Sequence, residues 1–385
     1  MKPRPKTDAI DSDARQEVDN LLGDAVAQKA SDVHLEPVAD GYEIRYRIDG
    51  LLAIKRHLSL DTGRAMANRL MVAAQLLTYR AGIPQEGRIS VDLPHLNETL
   101  DLRLSVMPTT RGLRAVVRLP AELIQPRMLD QLDLPESVMA GIRDYIHADS
   151  GMLILCGPAG SGKTTTIYAV LEAIRQARPG LSLISLEDPV ERSLAGVTQI
   201  EIQPFGELTF EKVLRSVLRQ DPQVLAVGEV RDPQTAGIVT QAALSGHQLI
   251  TTLHAPTPEA AIVRLIEMGI EPYQVASAVA GVVSIRLARR VLDPGGDPSG
   301  DFGEDSGEDS GVGSGVYSGR APLAEFAGMT APLRQAVLEC EDAGGLRRVI
   351  ETTPGFVSID DNARQQIDAG ITDAQEVDRV LGRRA

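Results

Sequence analysis

The period of hydrophobic and polar positions changes several times along the chain. Val18, Leu21, Leu22, Ala25 and Val26 recur at helical spacing, which predicts an amphipathic helix over 14–30, after a tail at 1–12. Tyr42, Ile44, Tyr46 and Ile48 then alternate with Glu43, Arg45 and Arg47, the period of a half-buried strand, and Asp49-Gly50 supplies a tight turn into 51–54. A helical stretch over 62–78 and strand-like runs at 88–93, 100–107 and 113–119 complete an α+β domain over 13–121. Beyond Pro120 and Pro126, apolar runs at 152–156, 181–186, 224–227 and 248–253 alternate with helical stretches. Each run is short and apolar enough to be buried on both faces, as parallel strands of an α/β sheet are, so 122–292 reads as a nucleotide-binding domain. Residues 293–316, rich in Gly, Ser and acids, hold too few apolar groups to offset the entropy of ordering and read as a flexible linker. Leu333, Val337, Leu346, Val349 and Ile350, then Val377, Val380 and Leu381, predict a small helical module over 317–385.

The chemistry concentrates after the first apolar run of the second domain. Gly157-Pro158-Ala159-Gly160-Ser161-Gly162-Lys163-Thr164 follows a strand and precedes a helix, the spacing and context of a phosphate-binding P-loop, with Thr165 continuing the helix. Glycines let backbone N–H groups wrap phosphates, the new helix points its positive end at them, Lys163 neutralises the β- and γ-oxygens, and Thr164 holds Mg²⁺. Hydrolysis also needs acids, one near the metal and one to orient water. Glu229, after 224–228, and Glu187, after 181–186, end strands where ligands of α/β sheets collect, and the residues alone do not rank them. His247 and His254 bracket 248–253, and a histidine at that edge suits a γ-phosphate sensor; neither has the Cys or His partners that a zinc site needs.

Composition narrows the function classes. The 385 residues, 43% hydrophobic and 24% charged, suit two or three globular domains. Cys156 and Cys340, far apart, offer no disulfide framework and fit a reducing cytosol. No export signal or membrane-length apolar run is visible. A formal charge of −14 and 3% aromatic residues oppose a phosphate-backbone footprint or base-stacking platform, so no nucleic-acid partner is expected.

Across 14–290 the chain resembles the ATPases of type II secretion and type IV pilus assembly. The resemblance rests on Ala30-Ser31-Asp32-Val33-His34-Leu35-Glu36-Pro37, Pro84-Gln85-Glu86-Gly87-Arg88, the P-loop, Glu187-Asp188-Pro189-Val190-Glu191, Arg219-Gln220-Asp221-Pro222 leading to Gly228-Glu229-Val230-Arg231-Asp232, and a histidine box from Gly246-His247 to Leu253-His254. It implies a RecA-like ATPase core with a PAS-like N-terminal domain, and a cytoplasmic homo-hexamer that hydrolyses ATP with Mg²⁺. It also implies force delivered to an inner-membrane platform protein and pilin-like subunits. By the same resemblance Glu187 orients water, Glu229 serves the metal, and Arg118, Arg215, Arg219 and Arg320 contact the γ-phosphate, some from a neighbouring domain. Arg88, Arg103 and Arg118 lie in the first domain, and Arg215 and Arg219, four apart, are expected on one helix face. Two departures stand out. The tetracysteine zinc knob of assembly-type members is missing where Arg290-Val291-Leu292 runs into the acidic linker, so no zinc is expected, although Tyr317-Ser318-Gly319-Arg320 and Leu323-Ala324-Glu325-Phe326 resemble the segment that follows it. The extra N-terminal docking domain of many secretion members is not seen either. Pilus retraction, a DNA-translocating motor and a nucleotide-binding scaffold are the competing readings.

Overall fold

The computed structural model describes residues 7–93, 98–120, 128–202, 208–292 and 317–382. Residues 1–6 of the expected tail and the expected linker at 293–316 lie outside them. By internal contacts the chain divides into two compact units, one up to residue 125 and one from residue 126 onward.

In the first unit, helix α1 (Thr7–Ala27) starts within the expected tail and buries Val18, Leu21, Leu22 and Ala25. Strands β1 (Asp32–Val38), β2 (Gly41–Ile48) and β3 (Leu51–Leu58) form an antiparallel meander. Asp49 and Gly50 both take positive φ, +48° and +87°, as a two-residue hairpin turn that matches strand twist requires. Helix α2 (Leu60–Ala73) is capped by Ser59 and stops short of the expected 78: the Ala74 amide closes onto the Leu70 carbonyl, and Gln75 at φ +56° turns the chain away. Gly63 lets α2 approach the Tyr42 ring, 2.2 Å from where a Cβ would stand. Strands β4 (Gln85–Leu93), β5 (Glu98–Thr109) and β6 (Gly112–Arg118) complete an antiparallel sheet of order β3-β2-β1-β6-β5-β4. Leu35, Ile44, Leu102 and Leu104 face the two helices in one apolar core. Register lines up Arg47, Asp32, Arg118, Arg103 and Arg88 in a row across five strands.

The second unit opens with α3 (Glu136–Ile146), β7 (Gly151–Cys156), α4 (Lys163–Ala177), β8 (Leu183–Glu187) and β9 (Thr198–Glu201). It continues with α5 (Phe210–Val217), β10 (Val224–Val227), α6 (Pro233–Leu244), β11 (Gln248–Leu253), α7 (Pro258–Glu267), α8 (Pro272–Ala278) and β12 (Val279–Val291). The sheet order is β13-β12-β7-β11-β10-β8-β9, parallel throughout except for the antiparallel edge strand β13 (Tyr317–Gly328). Met152 and Ile154 point into one apolar core and Leu153 and Leu155 into another, which is why these strands read as unbroken apolar runs.

Residues 317–385 differ from the expected helical module, because they begin with β13, an integral strand of this sheet. Four short helices follow: α9 (Ala331–Leu338), α10 (Ala343–Glu351), α11 (Ile359–Asp368) and α12 (Ala374–Leu381). They are tied to the sheet by buried carboxylates. Glu325 on β13 accepts from Arg347 of α10 at 3.0 Å and from the Ile359 amide at the start of α11. Glu376 of α12 accepts from the Arg289 guanidinium at 2.9 Å, and Arg289 stacks on Tyr317.

Candidate active site

The parallel strands of the second unit deliver their carboxyl ends to one edge, and register sets what arrives there. Cys156 ends β7 opposite Leu253 of β11, and Val227 of β10 lies opposite Thr251. The Thr252 hydroxyl donates to the Gly228 carbonyl at 2.7 Å and the Val230 amide donates to the Thr252 carbonyl, so Glu229 and His254 emerge side by side. The glycine loop 157–162 leaves β7 next to them and opens directly into α4.

The loop is built for a ligand that meets backbone. Gly157, Gly160 and Gly162 have φ of +147°, +73° and +97°, which β-carbon residues rarely adopt. A Cβ on Gly157 would stand 2.5 Å from the Ile285 carbonyl oxygen, while at Gly160 it would meet open space. Ser161 is buried, and its hydroxyl has no hydrogen-bond partner. The Lys163 ammonium donates to the carbonyls of Gly157 and Pro158, each at 2.8 Å. Burial pulls Lys163 below the usual lysine range; the Glu229 carboxylate nearby opposes this and the Arg286 guanidinium adds to it. Thr164 and Thr165 occupy the first turn of α4. Positive-φ glycines, a lysine, an unpartnered buried hydroxyl and a helix N-terminus together suit a chain of phosphates.

Glu229 pairs with His254 Nε2 at 2.9 Å and with Arg231 at 2.7 Å. Glu187 ends β8, one strand farther along the same edge, and is 6% exposed. Its carboxylate accepts from the Tyr168 hydroxyl, from Ser185 Oγ at 2.6 Å and from Gln199 Nε2 at 3.0 Å. Among the described residues no group of three or more His, Cys, Asp or Glu is arranged around a metal ion. Mg²⁺ does not need one, since it keeps waters and phosphate oxygens and takes one or two protein oxygens, which Thr164 and Glu229 can provide.

Other expected site residues stand elsewhere. His247 precedes β11, at the amino-terminal edge, where its carbonyl accepts from the Gly151 amide and its Nδ1 lies 3.0 Å from the Ala242 carbonyl. A strand such as Gln248–Leu253 separates its two flanking residues by roughly 20 Å, so the pairing of His247 with His254 at one site is corrected. His247 instead lines a polar cavity of about 240 Å³ with Asp149, Arg178, Asp221 and Gln223. Arg215 and Arg219 do not share a helix face either: α5 ends at Val217, the Arg219 amide turns onto the Ser216 carbonyl, and Asp221 takes φ +52° on the way into β10. Arg215 is exposed and pairs with Glu211 at 3.3 Å. Arg118 ends β6 in the first unit, bonded to Asp32 at 3.0 Å. Arg320 lies on β13 opposite Arg289. Ser284 is level with Cys156, so β12 and β13 run on as a two-stranded ribbon roughly 20 Å past the carboxyl edge, and Arg320 belongs to that ribbon.

Arg286 was not singled out from sequence. It donates to the Pro256 carbonyl at 2.8 Å and lies against Gly157. Tyr168, Ser185 and Gln199, which hold Glu187, were missed as well, since nothing in their spacing marks them.

A model of the family described as "Type II/IV secretion system protein" matches residues 9–379. The chain belongs to this family. It is 37% identical over 274 residues to "Type II secretion system protein HxcR" of Pseudomonas aeruginosa, covering 71% of this chain and 58% of that protein. It is 32% identical over 382 residues to "Type IV pilus assembly ATPase PilB" of Acinetobacter baylyi, covering 94% of this chain and 65% of that one. The chain thus spans little more than half the length of several curated secretion relatives, 55% of "Putative type II secretion system protein E" of Escherichia coli among them. Among solved structures it is similar to the Legionella pneumophila ATPase DotB, with a TM-score of 0.72 and 20% identity over 98% of this chain and 96% of that one. The pilus retraction motor PilT with bound ADP gives a TM-score of 0.65 at 23% identity over 93% of this chain and 95% of that one. At these identities the likeness is one of fold: a mixed α/β chain like these ATPases. Among the described residues no helix is long and apolar enough to cross a membrane.

Proposed function

We propose that this secretion-family chain is a Mg²⁺-dependent ATPase and the motor subunit of a type II secretion or type IV pilus assembly machine. On this reading the second unit is a RecA-like core and the first a PAS-like domain. The subunit works as a cytoplasmic homo-hexamer and passes force to an inner-membrane platform protein and pilin-like subunits. The observation that carries the reading is the meeting of Lys163, Glu229 and His254 beside the glycine loop at one sheet edge. Backbone amides of 157–162 and the Lys163 ammonium hold the β- and γ-phosphates of ATP. Thr164 and Glu229 would hold Mg²⁺, which would supply charge neutralisation. Glu187 orients the attacking water, whose oxygen bonds to the γ-phosphorus as the bond to the β,γ-bridging oxygen breaks; ADP, phosphate and a proton are released. His254 follows the γ-phosphate, and any guanidinium contacts from Arg118 and Arg320 are made to the phosphates of a neighbouring subunit. Arg215 and Arg219, away from this edge, would serve only the phosphates of a neighbouring subunit.

Purified chain at ring-forming concentration should release phosphate from Mg²⁺-ATP, without stimulation by DNA. Lys163→Ala should weaken nucleotide binding on the order of 10-fold or more, the worth of a charge-assisted contact. Wild-type protein that binds ATP but releases no phosphate as a ring would leave a nucleotide-binding scaffold, and DNA-stimulated turnover that fades steeply with salt would favour a translocase.

A further inference from the structure

Arg286 sits two residues past Ser284, the β12 partner of Cys156, and so stands level with the start of the glycine loop. Its guanidinium donates to the Pro256 carbonyl at 2.8 Å and to the Ile285 carbonyl at 2.9 Å. The nitrogen engaged with Ile285 lies 3.0 Å from where a Cβ on Gly157 would stand, so a glycine there is what admits it. Ser284 Oγ donates to the same Pro256 carbonyl at 3.2 Å. Pro256 is two residues beyond His254, and Leu287, next on β12, faces Gly162 at the far end of the loop.

One strand therefore grips both loops that meet the candidate phosphate site. The grip is made by a half-buried guanidinium that pairs with no carboxylate among the described residues, and burial pulls it below the usual arginine range. The Glu325 carboxylate opposes that pull without contacting the guanidinium, and two backbone carbonyls repay part of its lost hydration.

We propose that Arg286 is a positioning residue of the hydrolytic site: it braces the glycine loop and the His254 loop against β12, so that His254 meets the γ-phosphate in register. This rests on the ATPase reading above. Arg286 acts through His254, and its loss should lower turnover far more than nucleotide affinity.

The experiment measures steady-state turnover and ADP affinity of the full chain at ring-forming concentration, with thermal unfolding alongside. Arg286→Gln should lower kcat about 10-fold or more, within reach of one lost charge-assisted hydrogen bond, while ADP affinity stays within about threefold. Arg286→Lys, which keeps a donor for Pro256, should recover part of kcat. In a His254→Ala background the same Arg286→Gln change should lower the residual kcat less than about twofold, because the two residues act as one unit. Multiplicative effects of the two changes, an unchanged kcat, or a loss of ADP affinity matching the loss of kcat would each overturn the proposal. Should Arg286→Gln fail to fold, Ser284→Ala, alone and with His254→Ala, decides it by the same non-additivity. A wild-type chain without turnover would defeat the ATPase reading instead, a separate outcome.

Discussion

Replacing Glu187 by Gln separates what this residue does for the fold from what it does for turnover. The carboxylate is almost fully buried and accepts from three donors, Tyr168, Ser185 and Gln199. Glutamine keeps one acceptor oxygen and puts an NH₂ where the other stood, facing hydroxyls that must turn to accept from it. Tyr168 also accepts from the Glu191 amide at 3.2 Å, which limits how far its hydroxyl can reorient. Charge-assisted bonds become neutral ones, a loss of about 1 kcal/mol each, so the variant should be about 1–3 kcal/mol less stable. For a unit of this size that is a fall of roughly 2–10 °C in Tm. Nucleotide affinity should change little, because Lys163 and the loop amides are untouched, while turnover should fall at least on the order of 100-fold if Glu187 orients the water. Calorimetric unfolding, isothermal titration with ADP and phosphate release read the three quantities independently. A Tm within about 1 °C of wild type would refute the stabilising role of the network, and unchanged turnover would move the water-orienting role to Glu229.

Other outcomes follow from the same geometry. Gly157→Ala places a methyl 2.5 Å from the Ile285 carbonyl oxygen at φ +147°, so it should lose at least about 1–3 kcal/mol of stability and nucleotide binding with it; wild-type affinity measured by titration would refute the close approach. Burial works against the charged form of Glu376, but bonds from Arg379 and Arg289 prevail and hold its carboxyl at about 2, below an unfolded value of 4.5. Because the folded value is depressed, its stabilisation is present above about pH 4.5 and is lost as pH falls towards about 2. Glu376→Gln should therefore be less stable at neutral pH and show a shallower fall of Tm between these values, and an unchanged acid profile would sink the assignment. Burial also pushes the Cys156 thiol up to about 12, whereas Cys340 is exposed, so a thiol reagent at neutral pH should modify one cysteine in native protein and two after denaturation.

Much of the architecture was readable where one residue pattern answers to one force. The hairpin at Asp49-Gly50 followed from a turn that tolerates few other residues, and the runs at 152–156, 224–227 and 248–253 lie within or match β7, β10 and β11, since burial on both faces leaves an uninterrupted apolar signature. The glycine loop was legible because positive φ and close approach leave a compositional mark at fixed spacing. Strands β12 and β13 were missed for the opposite reason. Past Ser284, β12 leaves the sheet edge and carries Arg286, Arg289 and Arg290, so its second half reads as polar. Strand β13 contains Pro322, which an edge position tolerates because one side of the strand needs no backbone donor.

What brings the candidate site together is register rather than any motif. His247 and His254 look equivalent in sequence because both flank β11, yet a parallel strand has a chemical polarity, and only the residue at its carboxyl end reaches Glu229. The same polarity separates Arg219, in the turn before β10, from Glu229, just after it. Glu187 and Glu229 share the edge but not the environment: one is fixed by three donors from α4, β8 and β9, the other pairs with a histidine and an arginine beside the loop lysine. Two carboxylates so differently held are suited to different tasks. The enclosed one can fix a water only by exchanging a donor, whereas the one beside His254 can turn towards a metal without breaking into the core, and swapping Gln into each position in turn tests that division.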